Sequence, residues 1–290
     1  MSLTVVKAGL MTSLQDLGRS GYAHLGVPGG GAMDKAAAKL ANHLVGNPAD
    51  TAVLEITASG PVILLQAACS LAITGAEFSV TLDDQLMDTD CTLHVMQGQR
   101  LAFGALKAGF RAYLACAGGF DVPSILGSAS MLSGGLVPDV SGRLLQAGDV
   151  LTLNDPKIVA DRYKYVWQKQ KPQKRYFVHA MPGPEADYFS SNELRRFFSH
   201  SWEISQDANR MGYRLLGESI ATRTTSSMLS IGLMPGSVQV TPSGQALLCL
   251  RDAQTTGGYP RIAVVNQADL DVLAQARPGD HVWFSTHARS

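Results

Sequence analysis

Short strand-like segments separated by turn residues constrain the fold of this sequence more than any other feature. Between residues 53 and 153, short apolar runs alternate with Gly, Pro and Asp turn signals. The runs lie at residues 62–65, 70–73, 92–95, 100–103, 111–115 and 150–153. Many short strands at this spacing are typical of a barrel or sandwich, not of alternating strands and helices. We therefore predict a mainly β protein.

The strand-rich sequence divides into two blocks. Residues 155–175 carry seven Lys or Arg residues and few apolar ones, which is typical of an exposed connection. Residues 146–153 and 277–284 each contain a Gly-Asp turn followed by a strand-like segment. The two segments are weakly similar to each other. We predict a first β domain at 1–155, a basic linker at 156–174 and a second β domain at 175–290.

A few short helices are expected among the strands. Asp34 is an N-cap candidate before an apolar stripe, and Gly46 and Pro48 end that segment, so the first domain should contain a helix at 34–45. Ser190 and Glu193 have capping-box spacing before a second helix. A third helix is predicted at 269–276, before Pro278.

Composition excludes several classes of function. Lys plus Arg and Asp plus Glu both number 24, so no net field attracts nucleic acid or an anionic membrane. The 4 cysteines are widely spaced without a C-x-x-C pair, which argues against a zinc or redox site and fits a reducing cytoplasm. We find no signal-peptide pattern and no apolar run long enough to span a bilayer. The expectation is a cytoplasmic protein without a metal.

Motifs of several large enzyme classes are absent. The sequence has no phosphate loop, no strand-to-helix G-x-G-x-x-G, no H-E-x-x-H and no G-x-S-x-G. It also lacks the Ala-Met-Lys-Met sequence that carries biotin; residues 32–34 match only the beginning of it. A P-loop NTPase, Rossmann dehydrogenase, zincin or α/β-hydrolase is therefore not expected.

The polar loop at residues 252–260 is the strongest candidate for a functional site. It lies between apolar runs at 247–250 and 262–265, is longer than an ordinary hairpin loop and contains a carboxylate, an amide, hydroxyls, two glycines and a phenol. Glycines allow the backbone to approach a ligand closely, and functional groups are often held on loops between rigid strands. The alternative is a wide hairpin whose polar side chains satisfy one another.

Other polar clusters lie at residues 15–19, at the glycine turn leading into Asp34, and at 207–214. A helix that begins at Asp34 can bind an anion at its N-terminus. Arg19, Arg210 and Arg214 are candidate clamps because a guanidinium matches a carboxylate or phosphate. For each arginine alone, an ordinary salt bridge is the alternative.

At these clusters the sequence resembles the KipA family, also known as allophanate hydrolase subunit 2, biotin-dependent carboxyltransferase-like proteins or the C subunit of 5-oxoprolinase. The match runs in order along nearly the whole chain. It comprises residues 15–19, 21–22, 26–28, 31–34, 45–48, 54–56, 117–119, 209–215 and 252–260. It departs after Gln239, where Pro242 stands one position later than in the usual Gln-x-Pro, and at residues 29–31, where Gly replaces a usual Ser.

The resemblance implies two cyclophilin-like β-barrels and a cleft between the domains or at the second barrel. Relatives act on amides, either opening 5-oxoproline to glutamate with ATP or carboxylating urea from carboxybiotin. The catalytic candidates are Arg210, Asp252, Gln254, Thr255, Thr256 and Tyr259. The substrate-binding candidates are Gln15, Asp16, Arg19, Asp34, Asn209, Arg214, Gln239, Gly257 and Gly258.

In these roles Arg210 would hold an anion, backbone N–H groups of residues 255–258 would stabilise an oxyanion, and Asp252 or Tyr259 would relay a proton. The resemblance also implies two partners, a KipI-like protein and a LamB/YcsF-like protein, as the other subunits of the complex. ATP is expected at a site shared with or located on a partner, since this chain has no phosphate loop. Biotin enters only under the urea alternative, on another chain.

Three functions follow from this resemblance. The first is a subunit of an ATP-dependent 5-oxoprolinase, inactive alone. The second is the carboxyltransferase component of a urea or allophanate-type biotin-dependent system. The third is a non-catalytic regulator that binds a KipI-like protein in a histidine kinase pathway.

Overall fold

A computed structural model describes residues 1–131, 142–163, 173–223 and 228–286. The chain forms two compact units. The first comprises Met1–Arg19 and Gly30–Pro172, and the second comprises Ser20–Gly29 and Gln173–Ser290. Within the described ranges, no helix is both long and apolar enough to cross a membrane.

The first unit is built on a nine-stranded sheet, a half-barrel. Its strands are β1 Ser2–Lys7, β2 Met11–Gln15, β3 Val53–Thr57, β4 Val62–Leu65, β5 Cys69–Leu82, β6 Gln85–Met87, β7 Thr92–Val95, β8 Arg100–Cys116 and β9 Val150–Thr152. The main path runs β2-β3-β8-β4-β1-β9, and β5 pairs with β6, β7 and β8. Apolar side chains from these strands, such as Leu3, Leu54 and Leu114, are fully buried and form the core.

Strands β5 and β8 are longer than the sequence predicts. Glycine turn signals were expected to separate the short apolar runs, and instead Gly75 and Gly109 lie inside these strands. Both glycines have positive φ, at 84° and 70°, and the β5–β8 register shifts between Gly75 and Glu77. A bulge of this kind bends a strand without ending it. The prediction of separate short strands at 100–103 and 111–115 is therefore wrong.

Helix α1, Lys35–Leu44, packs on this sheet through Ala38, Ala41 and Leu44. The Asp34 side chain accepts a hydrogen bond from the Ala37 N–H, as predicted for an N-cap. Part of the predicted linker lies within the first unit and bonds to its sheet. The carbonyls of Lys157 and Arg162 accept hydrogen bonds from backbone N–H groups in β5 and β7. Residues 164–172 of the predicted linker lie outside the described residues.

The second unit is a closed seven-stranded barrel. Its strands are β10 Arg175–Pro182, β11 Ser201–Ile204, β12 Gly212–Leu216, β14 Ser237–Val240, β15 Ala246–Cys249, β17 Arg261–Val265 and β18 His281–Ser285. The order is β10-β17-β14-β15-β12-β11-β18. Strands β13, Ile231–Gly232, and β16, Thr256–Gly257, form a small separate ladder. The predicted mainly β fold class is confirmed.

Two helices accompany the barrel. Helix α2, Ser191–Ser199, begins after Ser190, whose hydroxyl accepts from the Glu193 N–H as predicted. Helix α3, Gln267–Leu273, begins two residues earlier than predicted because Asn266 caps it by accepting from the Ala268 N–H. Short 3-10 turns occur at Ala23–Leu25 and Ala186–Tyr188.

The polar loop of residues 252–260 is not a hairpin connection. Its flanking strands, β15 and β17, are not neighbours, since β14 lies between them in the barrel. The loop therefore crosses the end of β14 and contributes β16 to the ladder with β13. The wide-hairpin alternative is wrong, and the loop lies over the β14 end of the barrel.

Candidate functional site

A cavity of about 300 Å³ lies on the outer face of the barrel over β12, β14 and β15. Arg214, Leu247 and Gln239 are cross-strand partners, so their side chains share that face. Tyr213, the residue before Arg214 on β12, points to the opposite face and is buried inside the barrel. Four of the predicted site residues line the cavity: Asn209, Arg214, Gln239 and Gln254.

Arg214 is the accessible guanidinium of this cavity. Its side chain is 49% exposed, and its described ion pair is a 3.3 Å contact from Nη1 to Oδ2 of Asp207, itself largely exposed. Solvent screens such a pair, so it contributes little to stability. A ligand carboxylate can therefore compete with Asp207 for Arg214. Beside it, the side-chain Oδ1 of Asn209 accepts a hydrogen bond from the Met211 N–H.

Arg210, the predicted anion clamp, lies in a buried ion pair within the protein. Its Nε and Nη2 donate to the two carboxylate oxygens of Asp252 at 2.7 and 2.9 Å. The side chains of this pair are only 5% and 9% exposed. The Arg210 guanidinium, predicted to bind substrate, thus holds the loop through Asp252. The Asp252 carboxylate, predicted to act as a general base, accepts both of these hydrogen bonds. Neither residue lines the cavity, and we assign both to positioning the loop.

Further ion pairs fix both ends of the loop. Arg251 donates to Oδ1 of Asp271 on α3 at 3.0 Å. Arg261 donates to both carboxylate oxygens of Glu185 at 2.6 and 2.7 Å, and this hydrogen bonding holds the pKa of that carboxyl below its usual value. These pairs were not predicted from the sequence. An arginine stands at each end of the loop, but their acidic partners are distant in sequence.

Of the remaining polar side chains of the loop, only one lines the cavity. Gln254 is exposed and lines the cavity, whereas Thr255, Thr256 and Tyr259 do not. The Thr255 carbonyl accepts from the Leu233 N–H, and Thr256 pairs with Gly232. This ladder occupies part of the backbone that was predicted to form an oxyanion site. The Tyr259 side chain is 39% exposed.

Gly257 lies close to neighbouring side chains, and this contact, not its backbone angle, favours a glycine there. Neither Gly257 nor Gly258 has a positive φ. A Cβ at Gly257 would lie 2.6 Å from both Gln239 Nε2 and Leu233 Cδ1, whereas one at Gly258 would be 3.3 Å from its nearest neighbour. We therefore expect a side chain to be tolerated less well at Gly257, which makes room for the Gln239 amide, than at Gly258.

Cys249 also lines the cavity and was not predicted as a site residue. Burial raises the pKa of its thiol to about 11, so it is protonated at neutral pH and is a poor nucleophile. All four cysteines are buried and free, which agrees with their interpretation as small hydrophobic residues. Within the described ranges, no three His, Cys, Asp or Glu side chains are grouped as a metal ion would require.

The polar cluster at residues 15–19 organises a loop of the first unit. The Asp16 carboxylate accepts hydrogen bonds from the Ser128 and Ser130 hydroxyls at 2.6 and 2.5 Å and from two backbone N–H groups. Arg19 is buried and donates to the Ser130 carbonyl, and Gln15 is fully buried and donates to the Ser13 hydroxyl. These contacts give each of the three residues a partner within the protein, and their predicted role in substrate binding stays a prediction.

The glycine turn before α1 does not fit a nucleotide phosphate. Asp34 caps the helix, and the Met33 N–H donates to the buried carboxylate of Glu55. One carboxylate therefore occupies a donor of the first helical turn, and a second lies just before the helix, where both disfavour a bound anion. The Tyr113 hydroxyl donates to Glu55, and its pKa is raised by burial and by these carboxylates. These contacts argue against the predicted anion site at this turn, which stays a prediction.

The chain belongs to the carboxyltransferase domain family, subdomains A and B, whose model matches residues 25–286. The family resemblance seen in the sequence is confirmed. The chain is 39% identical to the 5-oxoprolinase C subunit of Escherichia coli K12, covering 97% of this chain and 90% of that protein. It is 35% identical to the Haemophilus influenzae protein of the same name, with 94% and 87% covered.

A solved structure supports the fold assignment. The urea amidolyase of K. lactis superposes with a TM-score of 0.89 at 31% identity, covering 98% of this chain. This chain corresponds to only 18% of the urea amidolyase chain. The shared part is thus one region of a much longer protein.

Proposed function

We propose that this chain is a subunit of an ATP-dependent 5-oxoprolinase, a hydrolase complex that opens 5-oxoproline to L-glutamate. The observation that carries the proposal is the match to two proteins that bear the name of the 5-oxoprolinase C subunit. It extends over nearly the full length of this chain and of both relatives. The match to urea amidolyase covers a small part of that protein.

The cavity on the barrel suits a small lactam that carries a carboxylate. Its volume of about 300 Å³ is at the lower end for ligand pockets. Arg214 offers an accessible guanidinium for the carboxylate, as a bidentate partner. The side-chain amides of Asn209 and Gln254 line the same cavity and offer N–H donors for the lactam oxygen.

Lactam opening requires activation because an amide is a weak electrophile. Fixed donors at the carbonyl oxygen stabilise the charge that develops there when water adds. The C–N bond then breaks, the nitrogen takes up a proton, and water supplies the new carboxylate oxygen. Coupled hydrolysis of ATP to ADP and phosphate drives the reaction. We assign Gln254 to the oxygen, and Thr255, Thr256 and Tyr259 to shaping the loop.

Partners complete this site in our proposal. A KipI-like subunit and a LamB/YcsF-like subunit would supply the remaining groups, including the nucleotide site. The glycine turn before α1 has carboxylates at its donors, which is why ATP is assigned to a partner or to a shared surface.

Reconstitution tests the function. The chain is mixed with its KipI-like and LamB/YcsF-like partners, and glutamate and phosphate are measured with 5-oxoproline and ATP. We expect both products in equal amounts, dependent on 5-oxoproline. A complete complex that binds its subunits and forms no glutamate would refute the proposal.

The second candidate function is carboxyl transfer to urea, favoured by the structural match to urea amidolyase. It would require a biotinylated carrier on another chain. Urea has no carboxylate, so it would leave Arg214 without a ligand partner. Consumption of carboxybiotin that depends on urea and not on 5-oxoproline would favour this alternative.

A further inference from the structure

The Gln239 side chain lies at the floor of the cavity in a fixed environment. It is 2% exposed and is a cavity-lining residue of β14. Its Nε2 donates to the Tyr259 carbonyl at 3.1 Å. The space for this amide exists because Gly257 has no side chain; an added Cβ would come within 2.6 Å of Nε2.

These contacts determine which end of the amide faces the ligand. A backbone carbonyl only accepts hydrogen bonds, so the NH₂ group must face Tyr259. Oε1 then lies towards Cys249, whose Sγ is 3.9 Å away and also lines the cavity. A thiol is a weak donor, so Oε1 keeps strong acceptor capacity. Gln239 therefore presents a buried, oriented acceptor.

We infer that Gln239 determines specificity by accepting a hydrogen bond from the lactam N–H of the substrate. This inference rests on the proposed function. Arg214 and Gln239 lie on the same face of the barrel, on strands that both pair with β15, with Leu247 between them. At about 4.8 Å per strand, their Cα atoms are roughly 10 Å apart, and both side chains reach a ligand placed over Leu247. One end of the substrate is then recognised by charge and the other by its N–H group.

The substrate's oxygen isostere provides the sharpest test. In 5-oxotetrahydrofuran-2-carboxylate a ring oxygen replaces the N–H group with almost no change in shape. Binding of the lactam and the lactone to the assembled complex without ATP is measured by calorimetry. Wild type should bind the lactone about 10- to 100-fold more weakly, because a buried acceptor is left without its donor.

The Gln239→Met variant separates the hydrogen bond from shape. Methionine has nearly the same length and lacks the acceptor, so lactam binding should weaken and the lactam–lactone ratio should fall towards one. Gln85→Met, on the exposed strand β6, is the matched control and should retain the wild-type ratio. The wild-type comparison remains decisive if Gln239→Met does not fold.

The outcomes distinguish this inference from the function on which it rests. If the wild-type complex converts 5-oxoproline but binds lactam and lactone equally, the role of Gln239 is refuted and the function stands. An unchanged ratio in folded Gln239→Met has the same meaning. If the wild-type complex neither binds nor converts 5-oxoproline, the proposed function and this inference both fail.

Discussion

At the scale of single residues, the structure separates two arginines that the sequence presents as equivalent. Arg210 lies in a buried bidentate pair with Asp252, and Arg214 lies in an exposed pair beside the cavity. Because Arg210 is buried, it holds the loop in place. Because Arg214 is exposed, it is available to a ligand. The difference depends on which face of β12 and its preceding turn each residue occupies.

Replacing each arginine by alanine should destabilise the protein to different extents. Arg210→Ala leaves the Asp252 carboxylate buried without its partner and should cost about 3–5 kcal/mol of unfolding free energy. Arg214→Ala should cost less than about 1 kcal/mol, because its pair is exposed. Urea denaturation measures both values.

Binding measurements complete that comparison. Arg214→Ala should weaken 5-oxoproline binding by about 10-fold or more, since a charge-assisted contact is lost. Equal loss of stability in the two variants, or normal substrate affinity in Arg214→Ala, would contradict these assignments.

Gly257 and Gly258 also differ at this scale. Gly257→Ala should force the Gln239 amide or Leu233 to move and destabilise the protein by about 1–3 kcal/mol, with loss of substrate binding. Gly258→Ala should be milder, since its nearest contact is 3.3 Å away. Thermal unfolding and calorimetry check both. A stable, fully active Gly257→Ala protein would show that Gln239 does not need this space.

At the scale of elements, ion pairs hold the loop of residues 252–260 to the barrel. Arg261 joins the start of β17 to Glu185 and also donates to the Gly232 carbonyl of β13. Arg251 joins the end of β15 to α3. The loop is thus braced at both ends.

The Glu185–Arg261 pair should make stability depend on pH. The hydrogen bonds from Arg261 lower the pKa of Glu185 below its ordinary value of 4.5. Its stabilisation is therefore fully present above that value and is lost as pH falls through the lower pKa of the folded state. The stability difference between wild type and Glu185→Gln should be largest at neutral pH and shrink in acid.

Denaturation across that pH range is the measurement. Glu203→Gln is a suitable control, because Glu203 is half-buried on β11 and the described residues give it no ion-pair partner. A wild-type to Glu185→Gln difference that stays constant with pH would exclude the proposed linkage.

Sequence patterns predicted local features of these elements and missed long-range ones. The caps at Asp34 and Ser190 were predictable because cap and helix are adjacent in the chain. The loop of residues 252–260 was misinterpreted as a possible hairpin because the insertion of β14 between β15 and β17 is a long-range pairing. The Asp252 and Glu185 partners were hidden for the same reason.

The candidate site was predicted in outline. Asn209, Arg214, Gln239 and Gln254 line one cavity, as their selection for a site anticipated. Other predicted residues, such as Asp16 and Arg210, are buried and bond within the protein. Their chemistry is the same as that of ligand-binding residues, so the sequence could not distinguish the two cases. The sequence has no signal for Cys249 at the cavity, because one cysteine in an apolar strand resembles a core residue.

At the scale of the whole molecule, we propose that this chain recognises a small lactam and that its partners bind the nucleotide. A stable interface with a KipI-like partner should bury on the order of 1,600 Å² or more. Size-exclusion chromatography with light scattering should show a complex whose mass equals the sum of its subunits. Failure to form any complex with either partner would contradict this division of roles.

An omission series tests the central claim most directly. Glutamate formation from 5-oxoproline and ATP is measured for this chain alone, with each partner singly and with both partners. We predict no activity from the chain alone and glutamate formation only when the KipI-like and LamB/YcsF-like subunits are both present. Substantial 5-oxoproline-dependent ATP hydrolysis by the chain alone, or no glutamate from the full mixture, would contradict the account.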